Sequence, residues 1–181
     1  MLTPGTITEI VGRLSSGRTS LLTACLGEVT GRGAIAALVD VDGVLDPASA
    51  ARAGVDLARL LWVRCGGRRD TGLRAADLLV RCPGFALVGL DLGEAATPLS
   101  HTTAFRLRFA VERTAAALLI ASRRRVVGPA ASLVVEIAPD RLEWSGPGPV
   151  PTRLARVRAH VRVLRARASR AGVVSPLGFC A

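Results

Sequence analysis

The 181 residues contain no Lys, Asn, Gln or Tyr, so each of the 24 positive charges is a guanidinium. Aromatic residues are limited to four Phe and two Trp, too few to lay out a stacking platform for single-stranded bases. No apolar run reaches the ~18 residues that span a bilayer, and no basic segment leads into an apolar one near Met1, so neither membrane insertion nor secretion is expected. The expected location is the cytoplasm, with the nucleoid as an alternative address. Cys25, Cys65, Cys82 and Cys180 stand singly, with no CxxC and no histidine partner, which removes zinc and thiol-redox motifs and leaves reduced packing residues. Acids are absent from the end of the chain. All 14 Asp and Glu lie within 1–143 beside 17 Arg, whereas seven Arg and no acid follow, giving a body of charge +3 and a tail of +7.

Half of the residues are apolar, which excludes a disordered chain and suffices for one domain with a real core. Over the first 125 residues, short β-rich apolar runs alternate with longer Ala/Leu/Arg segments of helical spacing, the pattern of βα units on a parallel sheet. Strands are expected near 6–11, 34–40, 59–63, 84–90 and 117–121, and helices over 18–29, 47–54, 71–81 and 101–116. The pattern then changes. Ser132 to Ala138 and Arg141 to Trp144 alternate around Pro139-Asp140, predicting an antiparallel hairpin. Residues 146–151 form a Pro/Gly linker between a core at 1–145 and a tail at 152–181. In the tail, Leu154, Val157, Val161, Leu164 and Ala168 recur at steps of three and four behind Thr152 as N-cap, predicting a basic amphipathic helix. Its Arg153, Arg156, Arg162 and Arg165 would face a partner or DNA, or simply water. His101 and His160 read as surface or capping residues, and Trp62 as core.

Thr6 to Val11 runs into Gly12-Arg13-Leu14-Ser15-Ser16-Gly17-Arg18-Thr19 and then an apolar segment. This is a Walker A loop in its strand, loop and helix setting, except that Arg18 stands in the lysine position. Glycines let successive backbone N–H groups turn toward phosphate oxygens at a helix N-terminus. A guanidinium is planar and wide, and does not act as the compact point charge that lysine supplies. Gly12, Ser15, Ser16, Gly17, Arg18, Thr19 and Ser20 are the candidate nucleotide-binding residues. Phe85 to Leu90, closed by Asp91, fits the matching Walker B strand, so Thr19 and Asp91 are candidate magnesium ligands.

Over roughly residues 3–145 the sequence resembles the RecA ATPase core. The carriers are Gly5 to Gly12, Ser15-Ser16-Gly17-Arg18-Thr19, Val39 to Pro47, Ala53-Gly54-Val55-Asp56 and Leu60-Leu61, in order and at matching spacing. The resemblance implies an α/β fold: a RecA-like P-loop core with a mainly parallel sheet flanked by helices, here with an antiparallel hairpin and a C-terminal basic helix. It implies ATP or ADP with Mg2+ as ligand; a loop that holds none is the alternative. It puts Asp46 near adenine, Asp42 at the position of the water-activating glutamate, and Arg123 where a glutamine senses the γ-phosphate. Asp42 is one methylene short, and ~1 Å of misplacement can cost ~100-fold. The adenine-stacking tyrosine expected after Pro47 is replaced by Ala48-Ser49-Ala50. Arg123, Arg124 and Arg125 could touch phosphates, or form a solvated turn.

Small RecA-like proteins with a worn ATPase site are most similar to the ImuA and SulA-related accessory group encoded with translesion polymerases. That resemblance implies a non-filamenting scaffold of an error-prone polymerase complex in the DNA-damage response, without ATP hydrolysis. The implied partner is a polymerase-like protein of the ImuB type, with DNA as a second contact and no membrane. A monomer or small oligomer is expected, since the chain starts almost at the first core strand and leaves no room for a filament arm. Two alternatives stay open: a divergent DNA-dependent ATPase, and a basic DNA-binding module without nucleotide.

Overall fold

The computed structural model describes residues 2–94, 97–147, 150, 152–166 and 174–180. Short β-branched runs bounded by Gly, Pro or Asp become strands: β1 Ile7–Val11, β2 Ile35–Asp40, β3 Leu60–Arg64, β4 Phe85–Asp91 and β5 Ala117–Ser122. Between them lie α1 Arg18–Gly31, α2 Pro47–Arg52, α3 Arg69–Arg81 and α4 His101–Glu112. Three strands follow: β6 Leu133–Ser145, β7 Arg153–Ala166 and β8 Val174–Cys180. All eight form one sheet in the order β3-β2-β4-β5-β1-β6-β7-β8. The first six are parallel, and β7 and β8 extend the sheet antiparallel.

The parallel strands are apolar on both faces because helices cover both. On one face Ile7, Val39, Leu90 and Ile120 meet Leu73 and Val80 of α3 and Leu107 and Val111 of α4. On the other, Ile10, Leu38, Leu87 and Leu119 meet Leu22 and Leu26 of α1. Both clusters are nearly free of solvent. Trp62 is half-buried, as it packs on the second cluster while its indole N–H donates to Asp40. Cys25 and Cys65 are buried, whereas Cys82 is exposed and does not pack in the core.

Two expectations are corrected beyond residue 132. The runs around Pro139-Asp140 are one strand, β6, with a register irregularity between Pro139 and Arg141 that takes up the proline without reversing the chain. The chain reverses between Ser145 and Arg153, so β6 is followed by its antiparallel partner β7 in the same sheet. The segment predicted as the basic helix is a strand, β7. From Arg156 to Val163 the sequence offers an unbroken alternation, with Arg156, Arg158, His160 and Arg162 on one side and Val157, Ala159, Val161 and Val163 on the other. That period of two suits three β-branched valines. It also lays Ala159 and Val161 on the cluster that holds Val135 and Ile137. The other side of β7 meets acids of β6: Arg162 reaches Glu136 at 2.7 Å, Arg158 reaches Glu143 at 2.9 Å and His160 reaches Asp140 at 3.1 Å. Ala168 and the arginines at 167 and 170 lie outside the described residues.

Because β7 seals part of the core, a chain ending before Thr152 is expected to lose its cooperative thermal melt. Deletion uncovers Val135 and Ile137 and removes the burial of Val161, at ~1.5–3 kcal/mol per aliphatic side chain against a typical total of ~5–15 kcal/mol. Circular dichroism melting of the truncated chain checks this; an unchanged melt refutes it.

Candidate functional site

The sheet order brings the chemistry-bearing residues to one edge. In the registers, Asp40 lies beside Asp91, Asp91 beside Ala121, and Val11 between Ser122 and Glu136. The segments that leave β2, β4, β5 and β1 at their C-terminal ends therefore converge, as in open parallel sheets generally.

After β1 the chain turns tightly through residues 12–17 into α1. Ser16 N–H donates to the Arg13 carbonyl at 3.1 Å, and Leu21 N–H to that of Gly17 at 2.9 Å. Gly17 has φ 94°, a left-handed conformation that favours glycine. At Gly12 a Cβ would overlap Ser16 Oγ. Loop residues Arg13 to Ser15 with Gly17 to Ser20 enclose a small concavity of about 120 Å³ at the N-terminus of α1. The expected loop residues are thus brought together, with Thr19 and Ser20 exposed and Ser16 buried. Ser16 Oγ has no hydrogen-bond partner.

Arg18 is 6% exposed and does not project from the loop. Its Nη1 donates to the Gly12 carbonyl at 2.7 Å, and its Nη2 donates to Glu94 Oε1 at 3.1 Å. Glu94, 42% exposed, was not expected from the sequence. The only signal was an acid three residues past Asp91 in a chain whose cations are all arginine. It also ties in two other positions. Its backbone N–H donates to Asp42 Oδ2 at 3.3 Å, and its Oε2 lies 3.9 Å from Arg123 Nε. One residue, through its carboxylate and its backbone N–H, therefore links the lysine, base and sensor positions of the resemblance.

The remaining carboxylates are largely committed. Asp91 is 2% exposed and accepts from Gly93 N–H at 2.8 Å. Burial pushes it above the usual carboxylate range; the Gly93 bond and Arg18 pull it down, while Asp40 and Asp42 push it up. Asp40 accepts from the backbone N–H groups of Gly43, Val44 and Leu45 and from Trp62, which shapes the turn that carries Asp42. Asp46 caps α2, accepting from Ala48 and Ser49 N–H. The Ser49 hydroxyl and backbone bonds hold it below its ordinary range. Among the described residues no three His, Cys, Asp or Glu side chains converge on a metal position.

The basic candidates divide. Arg123, Arg124 and Arg125 follow β5, are exposed, and line a cavity together with Arg13. Arg162 is paired with Glu136, and Arg165 donates to the Gly128 carbonyl at 3.2 Å, so both brace the sheet. Arg153 and Arg156 lie on β7, with side chains outside the described residues. Glu9, buried in β1, anchors the segment after Arg125: its Oε1 accepts from Val126 N–H and, at 3.1 Å, from Val127 N–H. Its Oε2 has no partner. Burial raises its affinity for a proton, against the pull of those two bonds and of Arg125.

Residues 2–106 match the family model described as the RecA N-terminal domain. Over 100 residues, 54% of this chain, it is 40% identical to a Protein RecA of Prochlorococcus marinus, of which 25% is covered. To Protein RecA of Ruegeria pomeroyi it is 41% identical over 100 residues, 54% of this chain and 28% of the relative. To that of a Synechococcus species it is 42% identical over 97 residues, 52% of this chain and 25% of the relative. The match spans about a quarter of the length of these relatives.

A buried carboxyl that holds its proton more tightly than it would unfolded adds protons to the native state. The associated stability is complete below the ordinary value of 4.5 for Glu9 and is lost as pH rises through the folded value. Glu9→Gln keeps an acceptor for Val126 and Val127, so its stability relative to wild type is expected to improve as pH rises from about 4.5. Glu9→Ala leaves two buried N–H groups unpaired and is expected to cost ~1–3 kcal/mol. Urea unfolding across pH measures both; a difference between Gln and wild type that stays flat with pH refutes the assignment.

Proposed function

The chain belongs to the RecA N-terminal domain family, and from that premise we propose that it is a RecA-fold scaffold that does not hydrolyse ATP, serving an error-prone translesion polymerase complex in the DNA-damage response. The observation that carries this reading is the internal commitment of Arg18. Its two terminal nitrogens are held by the Gly12 carbonyl and Glu94, so the loop cation neutralises a carboxylate of its own chain. Turning it toward a β- or γ-phosphate breaks both bonds and leaves Glu94 to repel the incoming anion.

The parts fit a nucleotide unequally. The loop backbone and the N-terminus of α1 suit one phosphate group, and Thr19 with Asp91 would hold its Mg2+. The tied guanidinium does not suit a triphosphate. Asp42, short by a methylene, is engaged by Glu94 N–H, and Arg123 leans toward the same Glu94. No positioned base for water follows from this arrangement. The accessory role itself rests on the likeness to the ImuA and SulA-related group.

A second reading, a divergent DNA-dependent ATPase, is favoured by the 40% identity to Protein RecA and by Thr19 and Asp91 standing in their motif positions. Phosphate release with and without single-stranded DNA separates the two. No turnover above background is expected, and Arg18→Lys alone should not create it, because Asp42 and Arg123 remain. Wild-type turnover comparable to active RecA proteins under matched conditions overturns the non-hydrolysing reading.

A further inference from the structure

Beyond its four-residue pairing with β1, β6 runs on past the ends of the parallel strands, and a cavity of about 410 Å³ opens between this ribbon and the phosphate loop. Its floor is aliphatic, with Ile137, Pro139 and Leu164 prominent, and its rim carries Arg13, Arg124 and Arg125. Among the described residues Arg13 and Arg124 have no carboxylate partner. Ser16 also lines the cavity. Its buried hydroxyl, without any hydrogen-bond partner, is a donor kept from water with nothing to receive its proton, which costs free energy unless a ligand atom accepts it.

We propose that this cavity is the docking site for an acidic segment of a partner protein, with one aliphatic side chain seated on the floor and carboxylates engaged by the rim guanidiniums and the Ser16 hydroxyl. The inference deepens the scaffold reading by giving its partner a chemistry. Charge and shape choose this occupant. Planar guanidiniums form paired hydrogen bonds with carboxylates, and an aliphatic floor rewards an aliphatic anchor. A nucleic acid strand fits less well. Among the described residues no aromatic side chain lines the cavity to stack a base.

The test uses the full chain and a fluorescein-labelled twelve-residue peptide of Asp and Glu with one central Leu, read by fluorescence anisotropy. Saturable binding that weakens as salt rises is expected. Ala138→Trp fills the cavity from an exposed position, and Arg124→Glu reverses one rim charge; each should weaken binding about tenfold or more while leaving the thermal melt unchanged. Replacing the peptide's Leu by Ser should have a comparable effect, and Ser16→Ala a smaller one. Absence of saturable binding overturns the proposal, as does peptide binding indifferent to Ala138→Trp. A fifteen-residue oligo-dT that binds more tightly than the peptide and ignores Ala138→Trp overturns it in favour of a nucleic acid. ATP turnover found alongside cavity-dependent peptide binding would remove the non-hydrolysing reading and leave this docking site standing.

Discussion

The guanidinium of Arg18 organises the candidate site. Buried at the start of α1, it must find acceptors within the protein, because an unpaired buried charge is far more costly than a paired one. It finds the Gly12 carbonyl and the Glu94 carboxylate. Through Glu94 the same contact reaches Asp42 and Arg123. A lysine is a compact charge on a flexible stem, whereas the guanidinium fork can span a carbonyl and a carboxylate at once. The replacement of lysine by arginine therefore changes which groups the loop binds first, and those groups belong to the loop's own surroundings.

The same economy of charge appears in β6 and β7. Arg162 and Arg165, which read as part of a face for partners or DNA, are used against Glu136 and the Gly128 carbonyl, and Arg158 against Glu143. Exposed pairs of this kind add little stability, but they match the register that the apolar side of the strand sets. Among the described residues, Arg13 and Arg124 beside the phosphate loop are not used in this way, and they line the cavity there. The ribbon of β6 that walls this cavity exists because β7 pairs along most of its length; a helical tail would have left that half of β6 without a partner.

Much of the fold was legible from the chain. The five parallel strands and four helices of the first 122 residues fall within a few residues of their expected bounds, because buried parallel strands need continuous apolar runs and the loops between them carry Gly, Pro and Asp. The phosphate loop was legible for the same local reason, as its glycines, hydroxyls and strand context lie within fourteen residues. The tail misled because Leu154, Val157, Val161 and Leu164 satisfy a helical period while Arg156 to Val163 satisfies a strand period. Local spacing alone cannot choose between two periods that the same residues fulfil.

By itself, then, the sequence determined the family, the βα order, the altered loop and the charge asymmetry, all of which are properties of neighbours along the chain. Tertiary structure decided the rest. It set β7 as a strand, since β6 presents a row of backbone groups and acids that a helix could not satisfy. It also decided the state of Arg18. Gly12 and Glu94 are 82 residues apart, and only the adjacency of β4, β5 and β1 brings Glu94 within 3.1 Å of the guanidinium. A hydrogen bond depends on separation in space, which sheet order fixes and residue spacing does not record.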